Sequence, residues 1–256
     1  MKKLLIVSGC SYSDPNFTSP FHPEMTCDWP KWPELLADKM GMDCLNISRC
    51  GAGQEFIYSN LADRLQSIDP KQIGLVIAAW STAPRRDYSV KNYWTNDMFD
   101  SRGDMEYWIK RSLRYYYSFQ NMCETLKIPY RQFQMIHLFK GYIWQQLVTA
   151  RTKNMPDELL KQIPILNAKH QLTNDEINWK ERIENTYLKI IHNSPYFNKI
   201  NDNFIGWPTD TKYNGYSVAE YKLNNKTDRI SELDLHPNAS GQTILAEFLY
   251  EKIINS

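Results

Sequence analysis

The sequence predicts an α/β fold, a three-layer α/β/α sandwich on a mainly parallel central sheet, from three observations. Short aliphatic runs at Leu4–Val7 and Ile73–Trp80 carry no polar alternation, as expected of strands covered on both faces. Between and after them lie stretches whose apolar residues recur at helical spacing. Each run also ends in a polar or glycine-bearing loop, at the edge where open α/β sheets hold their ligand sites.

Taken in order, Leu4–Val7 is the first strand and stops at Gly9, Cys10 and Ser11. The loop 14–30 is too long for a tight connection and predicts a lid or site wall. Pro33 then opens a helix over Glu34–Met40, with Gly41 as its stop. A second strand, Asp43–Ser48, runs into Arg49–Gln54, where Gly51 and Gly53 form a turn before a helix marked by Phe56, Ile57, Leu61 and Leu65. Such a strand, glycine turn and helix N-terminus can cradle an anion, although the glycines equally serve the turn alone.

Ile73–Trp80 is the third strand and ends in Ser81, Thr82, Ala83, Pro84, Arg85 and Arg86. Residues 88–104 read as an irregular aromatic insertion. Met105–Lys127 is a long amphipathic helix, with Trp108, Ile109, Leu113, Tyr116, Phe119 and Cys123 on its core face. A fourth strand covers Tyr130–Leu138 and contains His137, read as buried and hydrogen-bonded. Helices follow at Tyr142–Ala150 and Asn174–His192, the second opened by a Thr173/Glu176 capping box. Residues 193–226, rich in Asn, Tyr, Gly and Pro, predict an ordered loop. The chain reads as one domain, 1–256, with insertions at 81–104 and 141–227.

With 256 residues, 42% of them hydrophobic, the chain can bury a sizeable core. Its net charge of +1 comes from interspersed signs, which argues against a nucleic-acid footprint or a polybasic membrane surface. No apolar run approaches the roughly 18 residues of a membrane span, and no signal-like segment opens the chain. Five cysteines without paired spacing fit a reducing compartment. The expectation is a cytoplasmic or virion-associated protein that meets neutral or modestly polar partners. The 16 Tyr and 8 Trp are read chiefly as packing for the insertions.

Two segments carry the candidate chemistry. Ser11 follows the first strand, but an alcohol needs a base, and His236 lies in Leu233-Asp234-Leu235-His236-Pro237 just before the last helical pattern. Asp234 can orient that imidazole. The bland readings are a turn serine, a helix-capping aspartate and a histidine that happens to precede a proline. A metal reading lacks ligands, since neither HExxH nor CxxC occurs. Cys10 reads as small apolar filler beside Ser11.

Gly9-x-Ser11 at the first strand, together with Asp234-x-His236-Pro237 before the last helix, resembles the SGNH (GDSL-like) hydrolase superfamily. The resemblance implies a flavodoxin-like sandwich and a Ser11–His236–Asp234 triad, with Ser11 and Gly51 as oxyanion donors and neither metal nor cofactor. Where the family has Gly-x-Asn this chain has Trp80, Ser81 and Thr82, so the Thr82 hydroxyl is the expected stand-in, with Arg85 and Trp80 toward the substrate. The one-residue spacing of Asp234 and His236 resembles some SGNH-like polysaccharide O-acetyltransferases, and Glu232 is a second carboxylate in reach. The resemblance implies hydrolysis of a small-molecule or carbohydrate ester, with O-acyl transfer as its chemical neighbour. The rival is a binding or structural protein, since the aromatic insertions are similar to those of SGNH-like tailed-phage proteins; oligomer or virion assembly would then be its role.

Overall fold

The computed structural model describes residues 2–153 and 172–255, apart from 92, 99, 101 and 225; part of the expected 141–227 insertion therefore lies outside the described residues. Strands β1 (Leu4–Ser8), β2 (Asp43–Asn46), β3 (Ile73–Trp80), β6 (Tyr130–Gln134) and β7 (Phe204–Ile205) form a wholly parallel sheet in the order β2-β1-β3-β6-β7. Strand β1 is thus flanked by strands reached in opposite directions. Right-handed crossovers then put α1 (Trp32–Lys39) and α2 (Gln54–Ser67) on opposite faces. On one face α1 packs with the C-terminal helix α7 (Ala239–Ile254); α2 packs with α3 (Met105–Leu126), against which α5 (Asn174–His192) lies. Helices α4 (Lys140–Thr152) and α6 (Val218–Lys222) complete the described set.

The buried apolar side chains form one continuous cluster, running from Leu5, Ile6 and Val7 through Val76 and Ile77 to Phe133. The two long helices end where their sequences say they should. The Asp104 side chain accepts the Tyr107 N–H at the start of α3, and Lys127 closes it in a left-handed cap with φ 55°. The Thr173/Glu176 capping box opens α5.

Residues 88–104 depart from the expected irregular course. They contribute to an antiparallel hairpin, β4 (Arg86–Val90) with β5 (Tyr93–Asp97), in which Tyr88 faces Thr95 and Ser89 faces Trp94. Cross-strand pairs of aromatic and hydroxyl-bearing residues suit a ladder standing off the main sheet. Strand β6 stops at Gln134, short of His137, because the chain turns at the sheet edge. Strand β7 is only two residues long, too short to show a period.

Asp87 anchors the hairpin. Its carboxylate accepts the Gly53 N–H at 2.8 Å and the Phe56 N–H at 3.0 Å, capping α2, whose own N-cap residue has no side chain. Asp87→Ala should lower stability by about 1–2 kcal/mol in chemical denaturation, because two buried donors lose their acceptor. Asp87→Asn, which retains one acceptor oxygen, should cost less.

Candidate active site

Ser11 lies just beyond β1, at the point where the strand order reverses, and a crevice outside the strand ends opens at such a point. Its turn is closed by the Ser13 N–H donating to the Cys10 carbonyl at 2.9 Å. Gly9 permits that turn to lie against β3: a Cβ there would come within 2.8 Å of Ser13 Oγ and 3.1 Å of Ala79 Cβ. Ser13 Oγ in turn accepts the Trp32 indole N–H at 2.9 Å. Gln242 of α7 spans the neighbouring gap, accepting the Trp32 N–H at 2.8 Å and donating to the Tyr12 carbonyl at 3.2 Å.

The His236 segment is a tight loop closed by backbone hydrogen bonds. The Ile230 N–H donates to the His236 carbonyl at 2.9 Å, and the Asn238 N–H to the Asp228 carbonyl at 3.1 Å. The His236 N–H donates to Asp234 Oδ1 at 3.1 Å, which brings the two side chains together, while Leu235 is exposed. His236 Nδ1 lies 2.5 Å from Asp234 Oδ1, and Nε2 lies 2.8 Å from Ser11 Oγ. The imidazole is held between Phe17 and Tyr12, at ring-centroid separations of 4.3 and 5.0 Å.

Asp234 is buried, and its second oxygen accepts the Ser19 hydroxyl proton. Burial alone would raise its pKa; the hydrogen bonds from His236 and Ser19 overcome that and hold the carboxyl at about 2, below its ordinary 3.8. The loop carrying Ser19 is latched again where Ser231 Oγ, which accepts the Asp234 N–H at 3.0 Å, meets His22 Nε2 at 2.8 Å. Tyr12 donates to the Leu235 carbonyl at 2.9 Å, and Arg229 also donates to that carbonyl. Burial pushes the Tyr12 phenol up to about 12, so it stays a donor.

The second wall is the Gly51 corner. Asp14 accepts the Cys50 N–H at 2.6 Å, and Gly51 adopts φ 77°, a conformation that disfavours other residues. The Asn96 amide of the hairpin donates to the Gly51 carbonyl, and a Cβ on Gly51 would overlap Asn96. Among the described residues the Ser11 and Gly51 N–H groups donate to no protein acceptor.

Three expected site residues are placed elsewhere. Trp80 is fully buried, its indole N–H donating to Gln132 at 2.9 Å and its ring packed on Tyr116 and Phe119, so it belongs to the core and not to a substrate cleft. Thr82 donates its hydroxyl proton to the Leu138 carbonyl at 2.9 Å, which removes it as an oxyanion donor. Arg85 is buried, donating to the Ala52 carbonyl at 2.9 Å and to Ser81 Oγ at 2.7 Å; it braces the Gly51 turn from beneath. Glu232 is exposed, and Asp234 takes the position beside His236. His137 is buried and hydrogen-bonded, as its sequence context indicated. Ser19 and Asn96 gave no sequence signal, since each meets the site only through a distant segment; Tyr12 and Arg229 lie close in sequence to Ser11 and His236 but carry no motif that marks them. Among the described residues, no three His, Cys, Asp or Glu side chains gather as a metal would require.

No protein-family model matches the sequence, and no curated protein does. Two solved structures of GDSL-type, esterase-like hydrolases follow a similar course. One is the psychrotrophic esterase EstA from Pseudoalteromonas sp., in a form inhibited by monoethylphosphonate, at 12% identity and a TM-score of 0.48, covering 99% of this chain and 97% of that one. The other is a protein assigned to the G-D-S-L lipolytic family from Desulfitobacterium hafniense DCB-2, at 11% identity and a TM-score of 0.44, covering 98% of this chain and 99% of that one. At those values the likeness adds nothing to the chemistry read from the side chains, and it does not bear on a phage source.

The depressed Asp234 pKa links ionisation to folding. The stabilisation is complete above about pH 5, where the carboxylate is ionised in both states, and is lost as pH falls through 3.8 toward 2. Acid-unfolding curves of the Asp234→Asn variant should lack this component, about 2 kcal/mol in size. Ser19→Ala should move the acid transition to higher pH, because the carboxylate loses one of the bonds that hold it ionised.

Proposed function

We propose that the protein is a serine-dependent carboxylic-ester hydrolase of the SGNH type, acting on a small or carbohydrate-linked O-acyl group. The observation that carries this reading is the 2.8 Å contact between Ser11 Oγ and His236 Nε2, with Asp234 on the other ring nitrogen. The Nδ1–H of His236 donates to the ionised Asp234 carboxylate, which leaves Nε2 with a lone pair facing the serine.

The cycle follows from these positions. His236 Nε2 receives the Ser11 hydroxyl proton as Oγ bonds to the acyl carbon, and the Ser11 and Gly51 N–H groups receive the negative carbonyl oxygen. The proton then passes to the departing alkoxide as the C–O bond breaks, leaving an acyl-serine. Water attacks that ester, gives a proton to His236, and releases the acid while Ser11 regains its hydroxyl.

Thr82 and Trp80 offer no side-chain donor to this oxyanion. A missing donor costs roughly 100- to 1,000-fold in turnover. The proposed enzyme is accordingly slow on simple activated esters, with selectivity supplied by the walls of the site.

A serine-reactive fluorophosphonate should label Ser11 in the native protein, and His236→Ala should abolish labelling because the alcohol loses its base. Asp234→Asn should lower kcat on p-nitrophenyl acetate by roughly 1,000- to 10,000-fold through loss of the correct imidazole tautomer. Absence of labelling in a folded protein would overturn the hydrolase reading and favour a non-catalytic binding protein.

A further inference from the structure

Asp14 takes no part in the proton transfers, yet it joins the two pieces of backbone that would receive the oxyanion. It follows directly on the turn that carries Ser11, and it is buried. One carboxylate oxygen accepts the Asn16 N–H at 2.8 Å, the ordinary use of an aspartate in a loop. The other crosses to the Gly51 corner and accepts the Cys50 N–H at 2.6 Å.

That corner is a type II turn over residues 49–52. The Ala52 N–H donates to the Arg49 carbonyl at 3.1 Å, and of the two central residues only Gly51 has a positive φ, 77°. Its backbone groups can be accounted for one by one. The Arg49 N–H donates to the Gly9 carbonyl at 3.1 Å, the Cys50 N–H to Asp14, the Asn96 amide to the Gly51 carbonyl, and Arg85 to the Ala52 carbonyl at 2.9 Å. The peptide joining Cys50 to Gly51 is what remains. Neither its carbonyl nor its N–H has a protein partner among the described residues, while the peptide on each side of it is held by a side chain. The turn closes through its own hydrogen bond without either brace. Asp14 and Asn96 instead fix where the turn stands, and with it the Gly51 N–H, relative to Ser11.

We propose that Asp14 and Asn96 are positioning residues for the hydrolysis: they clamp the peptides flanking the Gly51 N–H, so that this group and the Ser11 N–H are held at one fixed separation around the oxyanion. The inference rests on the hydrolase reading. A donor of this kind works only within about 2.7–3.1 Å of the oxygen it stabilises, so a displacement of the turn that leaves the fold intact is enough to lose it. Asp14 is the shorter of the two links, three residues from Ser11 along the chain and hydrogen-bonded to the residue before Gly51.

The test is steady-state hydrolysis of p-nitrophenyl acetate, together with fluorophosphonate labelling, by the full chain and its Asp14→Ala and Asn96→Ala variants. Asp14→Ala should lower kcat by about ten- to a hundredfold, less than the outright removal of a donor, and Asn96→Ala by about three- to tenfold, the equivalent of one hydrogen bond. KM should stay within about twofold in both, because the Gly51 N–H meets the transition state and not the bound ester. Labelling should slow in parallel. Asp14 also sets Phe17, whose N–H donates to the Asp14 carbonyl at 3.3 Å, against the His236 ring. Asn96→Ala leaves that contact alone, so it isolates the effect at Gly51 and serves if Asp14→Ala does not fold. In the wild type the Gly51 amide proton should move downfield when Ser11 is phosphonylated, as the phosphoryl oxygen takes the oxyanion's place, and the shift should shrink in both variants. Unchanged kcat in the folded variants, whatever happens to KM, or a Gly51 amide that does not respond to labelling, would overturn the clamp alone. A folded wild type that takes no label would overturn the hydrolase reading and the clamp with it.

Discussion

The candidate site exists because the two ends of the chain close on one another. Ser11 with His236, Tyr12 with Leu235, Ser19 with Asp234 and Tyr12 with Gln242 are hydrogen-bonded pairs separated by 225, 223, 215 and 230 residues. Long-range closure of this kind is entropically costly, because chain freedom is lost before the contacts repay it. Local contacts such as Asp234 with His236 and Arg229 with Leu235 shape each end, and the long-range pairs join them.

That closure works because β1 is an interior strand, between β2 and β3. A strand with neighbours reached in opposite directions has its exit loop splayed away from both, which leaves room for a turn such as Cys10–Ser13 and for a second loop to descend on it. The descending loop is rigid without helix or sheet of its own. Cross-loop backbone bonds, the Asn238 cap of α7 and the Arg229 side chain together fix the 228–238 loop.

The strands β1 and β3 and the helices α3 and α5 were legible because each is long enough, or uniform enough, to show its period, and the capping box of α5 is written within four residues. Ser11, Asp234 and His236 were legible as residue types at strand and helix boundaries, and the Asp234 carboxylate reaches both the backbone N–H and the ring of His236 across one intervening residue. Thr82, Trp80 and Arg85 were misplaced for a physical reason. Strand β3 is buried on both faces, so its sequence carries no alternation to tell which way a residue at its end points. The hairpin was read as irregular because its outer residues are exposed and its strands mix polar with aromatic residues. Ser19 is invisible for another reason: a serine in a long loop gains meaning only from the carboxylate it meets far along the chain.

The hairpin touches the rest of the molecule through few side chains. Asp87 holds the N-terminus of α2, Asn96 meets Gly51 and Trp94 packs edge-on against Phe56, while Tyr93 and Val90 stand in solvent. Its outer residues are thus nearly free of the constraints that hold the core, although the ladder's inner edge reaches one wall of the candidate site. Descendants of this chain can accumulate substitutions along that outer surface at little expense to folding, and a shift transmitted through Asn96 alone would suffice to alter the geometry at Gly51. Divergence among relatives should consequently concentrate in the hairpin, with Asp87 and Asn96 as its fixed points.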